Sequence, residues 1–502
     1  MIELKNFTPR KYQEEIFETS KEKNTLAVLP TGTGKTIVAL LLAVYRLNKI
    51  QDTKAIIVSP TKPLANQHKK TFEEHTTLDP EKIELITGTI SPEKRMDLYK
   101  HAKVIVATPQ TIKEDITNNR FSFKDCSSLI IDEAHHSIGN YAYTFVAKRY
   151  AQEAEFPRIL ALTASPGGTK EKITEICDNL SIEAVEIRTE EDMREHVQEK
   201  KTEWIYVELP KEFKELHNII KNVYKEKIED LKKIGVTKPV QVIGKKDLIQ
   251  IQTSLRKEIH KNNPSAYYGI SLTALLIKLD YALELLETQS INSLQQFWEK
   301  LKKEETKASK TIVKNPEIEK AMKLTAILLE KEIKHPKLEK LYEIIKEEIS
   351  QDPKARIIVF ANFRNTINEI VDYLTKKGIS AHKFVGQADR QDKGLKQREQ
   401  IEVLNKFKEG EFNILVSSQV AEEGIDIVET RAVIFFESIA SELRKVQRSG
   451  RTARTKPGKI IFLLTKGTRD EAYYWSAHRK EKIMKSVLNK MKIPNEKILS
   501  EF

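Results

Sequence analysis

The chain has 502 residues, enough for about two to four domains with cores of their own, which excludes a single small module. Hydrophobic residues make up 39% of it and recur in compact runs, which excludes wholesale disorder. The formal net charge of +12, from 85 Lys and Arg against 73 Asp and Glu, favours a polyanionic partner.

Membranes and secretion are not expected. No uncharged apolar run approaches the roughly 18 to 20 residues that cross a bilayer, and the N-terminus has no signal-peptide core. The two cysteines, Cys126 and Cys177, are too far apart in sequence to indicate a disulfide framework or a zinc site. We therefore expect a soluble cytoplasmic protein with no membrane partner.

Short β-branched runs alternate with amphipathic, helix-length stretches in two parts of the chain. The predicted strands are 25–29, 55–59, 104–108, 128–132 and 159–163, and then 356–361, 381–385, 413–417, 432–437 and 459–465. This alternation is typical of α/β folds with doubly wound parallel sheets, whose ligands gather at the carboxyl ends of the strands. The stretch between them is helical and Lys-rich. The sequence thus predicts a first sheet domain over 1–204, a basic helical insert over 205–335 and a second sheet domain over 336–502.

A phosphate-binding loop follows the first predicted strand and precedes an apolar helix. Its residues are Thr31, Gly32, Thr33, Gly34, Lys35 and Thr36. Gly32 and Gly34 would let backbone amides close around phosphates, Lys35 would supply a positive charge, and Thr36 would offer a hydroxyl to magnesium. Leu29 stands where the strict pattern has its first glycine. The context nevertheless predicts a nucleotide site that uses Mg²⁺.

Two carboxylates come at the end of the predicted strand 128–132, in the run Asp-Glu-Ala-His at 132–135. In a parallel sheet this position lies at the same edge as the phosphate loop. We expect Asp132 to hold magnesium and Glu133 to orient or deprotonate the attacking water.

Three residues before the first strand, Phe7, Arg10 and Gln13, can select the base. A Gln amide pairs with the N6/N7 edge of adenine while an aromatic ring stacks on it, which would select ATP. The alternative is an ordinary solvated helix face.

Arginines recur near the C-terminus. The residues of interest are Gln447, Arg451 and Arg454, just before the last predicted strand. An arginine supplied by the second domain would neutralise charge on the γ-phosphate when the domains close. The alternative is a basic surface patch.

These features occur together and in order, and here the sequence resembles superfamily 2 helicases, in which two tandem RecA-like domains sandwich ATP. Further segments stand where that superfamily's motifs fall: Ser-Pro-Thr-Lys-Pro at 59–63, Ala-Thr-Pro-Gln at 107–110, Thr-Ala-Ser-Pro at 163–166, Val-Phe-Ala-Asn-Phe-Arg at 359–364 and Ser-Ser-Gln-Val-Ala-Glu-Glu-Gly-Ile-Asp at 417–426. The helical insert, with Phe-Val-Gly-Gln-Ala at 384–388 and Leu-Lys-Gln-Arg-Glu-Gln at 395–400, is similar to the archaeal Hef branch, related to the FANCM family.

The resemblance implies an ATP-dependent DNA helicase or translocase that acts on forked or Holliday-type DNA, with 3′ to 5′ polarity. It further implies several site residues. The sugar-phosphate backbone would be held by Lys62, Thr108, Gln110, Arg364 and Ser418, the nucleotide also by Gly424 and Asp426, and duplex DNA by Lys245, Lys246, Arg256 and Lys257 of the insert. Contacts to phosphates carry no sequence information, so we expect binding that is salt-dependent and sequence-independent.

Two alternatives stay open at this point. The first is a double-stranded RNA-stimulated ATPase or translocase of the RIG-I-like type. The second is a junction-binding scaffold with a vestigial ATPase, against which the intact Lys35, Asp132, Glu133 and Arg451 argue.

The expected surroundings of the protein follow from the same resemblance. No nuclease signature is found up to Phe502, which fits a helicase-only member, an excised domain or half of a split system. In the last case a separate structure-specific nuclease, or a sliding clamp, would be the expected partner. We expect the protein to be nucleoid-associated in the cytoplasm of an archaeon.

Overall fold

The computed structural model describes residues 1–189, 191–193, 200–233, 244–258, 264–386, 394–418, 430–438, 441, 448–449, 452 and 458–491. No helix in these ranges is both long and apolar enough to cross a membrane. The chain forms two parallel-sheet domains with a helical domain between them, which confirms the predicted α/β architecture.

The first sheet domain alternates strands and helices from residue 11 to residue 187. In chain order its elements are α1 (Lys11–Glu22), β1 (Thr25–Val28), α2 (Lys35–Lys49), β2 (Lys54–Val58), α3 (Lys62–His75), β3 (Ile83–Ile86), α4 (Pro92–His101), β4 (Val104–Ala107), α5 (Pro109–Thr117), β5 (Cys126–Ile131), α6 (Ala142–Glu153), β6 (Ile159–Thr163), α7 (Lys170–Asn179) and β7 (Ala184–Ile187). Within the described residues seven strands pair in parallel in the order β3-β4-β2-β5-β6-β1-β7.

Both faces of this sheet are buried, as near-continuous apolar strands require. On β1, Leu26 and Val28 pack into one apolar cluster, while Ala27 packs into another on the opposite face. The edge strands β3 and β7 were not predicted. Each is interrupted by a half-buried glutamate, Glu84 and Glu186, because an edge strand is covered less completely than a central one.

A strand and six helices follow in the described part of the chain. They are β8 (Lys200–Val207), α8 (Lys211–Lys233), α9 (Lys245–Glu258), α10 (Pro264–Thr288), α11 (Ile291–Lys303), α12 (Lys307–Val313) and α13 (Pro316–Glu330). The helices enclose their own core around Trp298, which is fully buried and donates from Nε1 to Oγ1 of Thr325 at 3.2 Å.

The second sheet domain repeats the alternation. Its further elements are α14 (Pro336–Gln351), β9 (Ile357–Phe360), α15 (Arg364–Lys376), β10 (Ala381–Phe384), α16 (Gln397–Glu409), β11 (Ile414–Ser417), β12 (Ala432–Phe435), β13 (Gly458–Thr465) and the last described helix, α17 (Arg469–Met491). The six strands described here are parallel, in the order β10-β11-β9-β12-β13-β8.

Strand β8 was not predicted from the sequence, and it belongs to the second sheet. It pairs with β13 along all of its length, from Lys200 opposite Gly458 to Val207 opposite Thr465. The predicted domain boundary at residue 204 therefore falls inside a strand of the second sheet. The run has mostly exposed or half-buried side chains, since β8 is an edge strand, and this is why no buried strand was predicted there.

Helix α17 contacts all three parts of the molecule. At its start, Arg469 forms an ion pair with Asp280 of α10 at 2.9 Å, which holds the helical domain against the second sheet domain. Towards its end, Met484 and Leu488 pack into a core cluster of the first sheet domain.

Candidate functional site

The phosphate loop joins the end of β1 to the start of α2. Gly32 and Gly34 have φ of 79° and 78°, a left-handed conformation that favours glycine, and Gly34 is the N-cap of α2. A Cβ on Gly34 would lie 2.6 Å from Nε2 of Gln13. The loop thus brings the free amides at the start of α2 to a place where phosphate oxygens can accept from them.

Asp132 follows β5 directly, and both of its carboxylate oxygens have partners. Oδ2 lies 2.9 Å from Nε2 of His68 on α3, and Oδ1 accepts from the Glu133 amide at 3.0 Å. Burial acts to raise the pKa of Asp132, but the hydrogen bond and charge of His68 and the charge of Lys35 outweigh it, and the pKa lies below its ordinary value. Asp132 is therefore ionised and close to the lysine of the loop.

Glu133 has a strained backbone, with a φ of 50° that is uncommon for a residue other than glycine. Its Oε2 is buried and lies 3.3 Å from Nδ1 of His135, and it accepts no hydrogen bond within the described part of the chain. A buried carboxylate oxygen that lacks a hydrogen-bond donor is suited to accept a proton from water.

These donors suit a magnesium ion. Mg²⁺ commonly uses one or two protein oxygens and completes its shell with phosphate oxygens and water. The ionised carboxylate of Asp132 and the half-buried hydroxyl of Thr36 are such oxygens. Groups of three or more His, Cys, Asp or Glu that could form a metal cage on their own do not occur among the described residues.

The residues predicted to recognise adenine lie at and before the start of α1, and of these Gln13 contacts the phosphate loop. Nε2 of Gln13 donates to the Thr33 carbonyl at 3.2 Å and to that of Gly34 at 3.4 Å, so its amide contacts the phosphate loop. Arg10 is exposed, and Phe7 packs edge-on against His75 with 5.2 Å between ring centroids. Their contact with adenine stays a prediction.

Sequence reasoning missed two residues near the nucleotide site. The hydroxyl of Tyr12 donates to the Thr33 carbonyl at 2.6 Å and fastens α1 to the loop. His68 lies on the buried face of α3, in line with Ala65 and Phe72. A histidine at a core-facing position of an amphipathic helix is a signal that could have been noticed.

A chain of side-chain contacts runs from the carboxylates towards the second sheet domain. Nδ1 of His135 lies 3.2 Å from Oγ1 of Thr163 at the end of β6, and this hydroxyl accepts from the Ser165 amide at 3.1 Å. Oγ of Ser165 lies 2.9 Å from the sulfur of Met484 on α17. Thr163 and Ser165 thus connect the carboxylates of the first sheet domain to α17, with Ser165 making the contact to Met484.

The residues predicted to hold the nucleic-acid backbone lie where strands end. Lys62 and Thr108 stand at the starts of α3 and α5, after the neighbouring strands β2 and β4, and Gln110 donates to the Tyr141 hydroxyl at 3.1 Å. In the second sheet, Arg364 begins α15 after β9, and Ser418 follows the adjacent β11. Helix N-termini at a sheet edge offer amides to phosphates, in keeping with the predicted role.

Part of the predicted site falls outside the described residues, namely Gly424, Asp426, Gln447, Arg451 and Arg454. The neighbouring Arg448 is described and points inward. It is fully buried, donates to Oδ1 of Asn362 at 3.0 Å and lies 4.7 Å from the centroid of the Phe360 ring.

The four basic residues predicted to contact duplex DNA do not form one cluster. Lys245 at the start of α9 pairs with Glu284 at 3.6 Å and lies over the Tyr281 ring. Lys246 adjoins it, whereas Arg256 and Lys257 lie near the other end of α9. At 1.5 Å per residue the two pairs are about 16 Å apart.

Comparison with known families matches all three parts of the chain. The model described as DEAD/DEAH box helicase matches residues 10–173, the helicase conserved C-terminal domain matches 336–456, and the model described as putative ATP-dependent RNA helicase, helical bundle matches 212–335.

Individual relatives are similar along nearly the whole chain. The crystal structure of the Pyrococcus furiosus Hef helicase domain is 43% identical, covers 93% of this chain and 98% of its own, and superimposes with a TM-score of 0.73. The putative ATP-dependent RNA helicase MJ1505 of Methanocaldococcus jannaschii is 40% identical over 98% of this chain, which spans 62% of that protein. The ATP-dependent DNA helicase mph1 of Neurospora crassa is 32% identical over 92% of this chain, which spans 41% of that protein.

Proposed function

This chain belongs to the superfamily 2 helicase family that includes the Hef helicase domain, and on that premise we propose that it hydrolyses ATP to move along DNA at forks and other branched junctions. The observation that carries the proposal is the meeting of the phosphate loop with the ionised Asp132 and the unsatisfied Glu133 at one sheet edge. A second sheet domain is in contact with that edge. A motor needs such a second domain because hydrolysis must change the position of one domain relative to another.

Each group in the site has a defined task. The loop amides and Lys35 bind the β- and γ-phosphates, and Gln13 with Phe7 and Arg10 holds the adenine. Glu133 orients the attacking water and takes its proton. Magnesium, held by Thr36 and Asp132, would neutralise charge on the phosphate oxygens.

Domain closure would complete the site. Gln447, Arg451 and Arg454 would reach the γ-phosphate from the second domain, with Gly424 and Asp426 beside the nucleotide. Each hydrolysis event would then release the closure and let Lys62, Thr108, Gln110, Arg364 and Ser418 shift along one strand. The proposed direction is 3′ to 5′, because this is the polarity that the family resemblance implies.

RNA is a second candidate substrate. The family model for residues 212–335 and the M. jannaschii relative are both described as putative ATP-dependent RNA helicases. A substrate preference that depends on 2′-hydroxyls would favour RNA over DNA. With DNA as the substrate, a separate structure-specific nuclease or a sliding clamp would be a partner, in the cytoplasm with the nucleoid.

The test is the steady-state ATPase rate with no nucleic acid, single-stranded DNA, a three-way DNA fork and double-stranded RNA, at matched nucleotide concentration and low salt. We expect the fork to stimulate most. The Glu133→Gln variant should lose about 10²-fold or more of the stimulated rate and still bind ATP, because it loses the base but keeps the phosphate loop. Greatest stimulation by RNA would replace the substrate assignment, and no stimulation would favour a scaffold. A Lys35→Ala variant with full biological activity would also support the scaffold.

A further inference from the structure

Three helix ends meet at one tip of the helical domain. His217 of α8 lies 2.8 Å from Glu287 of α10, which sets the register of these antiparallel helices and brings the end of α8 to the start of α10. Lys245 of α9 pairs with Glu284, so the end of α9 also reaches the start of α10. The residues that share this tip are Lys233 of α8, Arg256 and Lys257 of α9, and Tyr267 and Tyr268 of α10, which we call the tyrosine tip.

The electrostatics around Lys233 agree with this register. The pKa of Lys233 is raised, first by its hydrogen bond to Asp230 and to a smaller degree by the nearby Tyr268 phenol. The end of α8 and the start of α10 are therefore close to each other. On the other helix pair, Leu248 lies in one apolar cluster with Leu272 and Leu276, on the side of Lys245–Glu284 towards the start of α10.

The tyrosine tip presents aromatic rings next to positive charge. Tyr267 is 56% exposed and Tyr268 is 48% exposed, far more than a core-forming tyrosine. Arg256 and Lys257 are exposed, and neither forms an ion pair within the described residues. Lys233 is exposed as well, and its ammonium pairs with Asp230 at 2.8 Å. Scattered single hydrophobic residues on a surface need no explanation, but two adjacent rings at a basic end do.

We propose that the tyrosine tip is a stacking surface for unpaired DNA bases at a branch point, with Arg256, Lys257 and Lys233 holding the flanking phosphates. This inference rests on the proposed function and adds the place where the helical domain touches its substrate. Every base has a π-face, so aromatic stacking beside cations binds single strands without reading sequence. Consecutive helix positions differ by about 100°, so the two rings can stack on different bases.

The chemistry favours unpaired over paired DNA. Bases inside a duplex are already stacked on each other and offer no free face to a tyrosine. A blunt duplex would meet the cations of the tyrosine tip but not its rings. At a fork, by contrast, bases next to the branch are unpaired while duplex phosphates lie close by. The tyrosine tip therefore distinguishes DNA with unpaired bases, such as a fork, from a blunt duplex.

The experiment measures binding of the full chain without nucleotide to three fluorescent DNA probes: a three-way fork with an unpaired arm, a blunt duplex and a single strand. The fork carries 2-aminopurine in the arm beside the branch. The variants are Tyr267→Ala/Tyr268→Ala, the conservative Tyr267→Phe/Tyr268→Phe, and the matched control Tyr206→Ala, which removes an equally exposed tyrosine (45%) from β8. Thermal unfolding of each variant confirms that the fold is kept.

We expect the double alanine variant to bind the fork about tenfold or more weakly and to lose the 2-aminopurine quenching, since each stacked base contributes measurably to affinity. The phenylalanine variant and Tyr206→Ala should bind like the unmodified chain. Arg256→Glu/Lys257→Glu should lower the salt dependence of fork binding, because fewer counterions are released.

Fork affinity of the double alanine variant within twofold of the unmodified chain would overturn the inference. If the fork still stimulates ATP hydrolysis in that case, the proposed function stands and only the tyrosine tip is wrong. If the unmodified chain neither binds the fork nor responds to any DNA, both fail together.

Discussion

Replacing Arg469 with alanine removes the cation that joins the helical domain to the second sheet domain. Its Nη2 lies 2.9 Å from Oδ1 of Asp280, and its Nη1 donates to the Asp280 carbonyl at 2.9 Å. Asp280 and Glu287 are only 6% and 3% exposed, so the variant leaves a buried carboxylate without its cation. Glu287 keeps His217 at 2.8 Å and the backbone amide of residue 469 at 2.9 Å. Breaking a buried pair costs roughly 3 to 5 kcal/mol. Because the Asp280 carboxylate still accepts from the Tyr224 hydroxyl and Glu287 keeps both of its partners, we expect the lower end, about 3 kcal/mol.

Urea unfolding of the full chain measures this cost, with tryptophan fluorescence in a Trp204→Phe/Trp475→Phe background, where only the buried Trp298 of the helical core remains. A double-mutant cycle with Arg469→Ala and Asp280→Asn isolates the pair, and we expect a coupling energy of about 1.5 kcal/mol or more. The control is Arg149→Ala, which breaks an exposed pair with Glu153 and should change stability by less than about 0.5 kcal/mol. Additive effects of the two substitutions would refute the assigned role of the pair.

Two other substitutions test single features. Gly34→Ala places a Cβ 2.6 Å from Nε2 of Gln13, so affinity for a fluorescent ATP analogue should fall about tenfold or more. The control is Gly378→Ala, at a glycine with a similar φ of 81° and open space around it, which should leave that affinity unchanged. Equal losses would mean that backbone strain, not the phosphate loop, is responsible. Burial raises the pKa of Glu437 from 4.5 to about 7. The protonated carboxyl therefore stabilises the fold fully below pH 4.5, and this stabilisation is lost as the pH rises through 7. Glu437→Gln should flatten the unfolding free energy over that range by up to about 3 kcal/mol, and an unchanged slope would contradict this.

Local patterns sufficed to predict that the phosphate loop and the two carboxylates lie at one edge of the first sheet. The central strands are continuous apolar runs because both faces of each sheet are covered. The loop before Lys35 and the carboxylates of Asp132 and Glu133 each follow such a run directly. Since parallel strands end at one edge of a sheet, the proximity of these residues could be predicted from the sequence alone.

Contacts between distant segments could not be predicted in the same way. Strand β8 pairs with a strand more than 250 residues later, and its half-exposed side chains give no buried period. The contact of His68 with Asp132 depends on how α3 packs on the sheet. The tyrosine tip is inferred from the registers of two helix pairs, which bring the ends of α8 and α9 to the start of α10 and place Lys245 at the opposite end of α9.

The Arg469 variant also has a functional consequence, because α17 joins the helical domain to the nucleotide site. Ser165 contacts Met484, fifteen residues after Arg469 on one helix, which spans about 22 Å. A rigid helix moved at one end displaces the other, so a rearrangement around Thr163 on hydrolysis would shift the helical domain through Arg469. We therefore expect Arg469→Ala to lower the ATPase rate with a fork more than the rate with single-stranded DNA. An unchanged ratio of the two rates would mean that the helical domain responds to hydrolysis by a route other than α17.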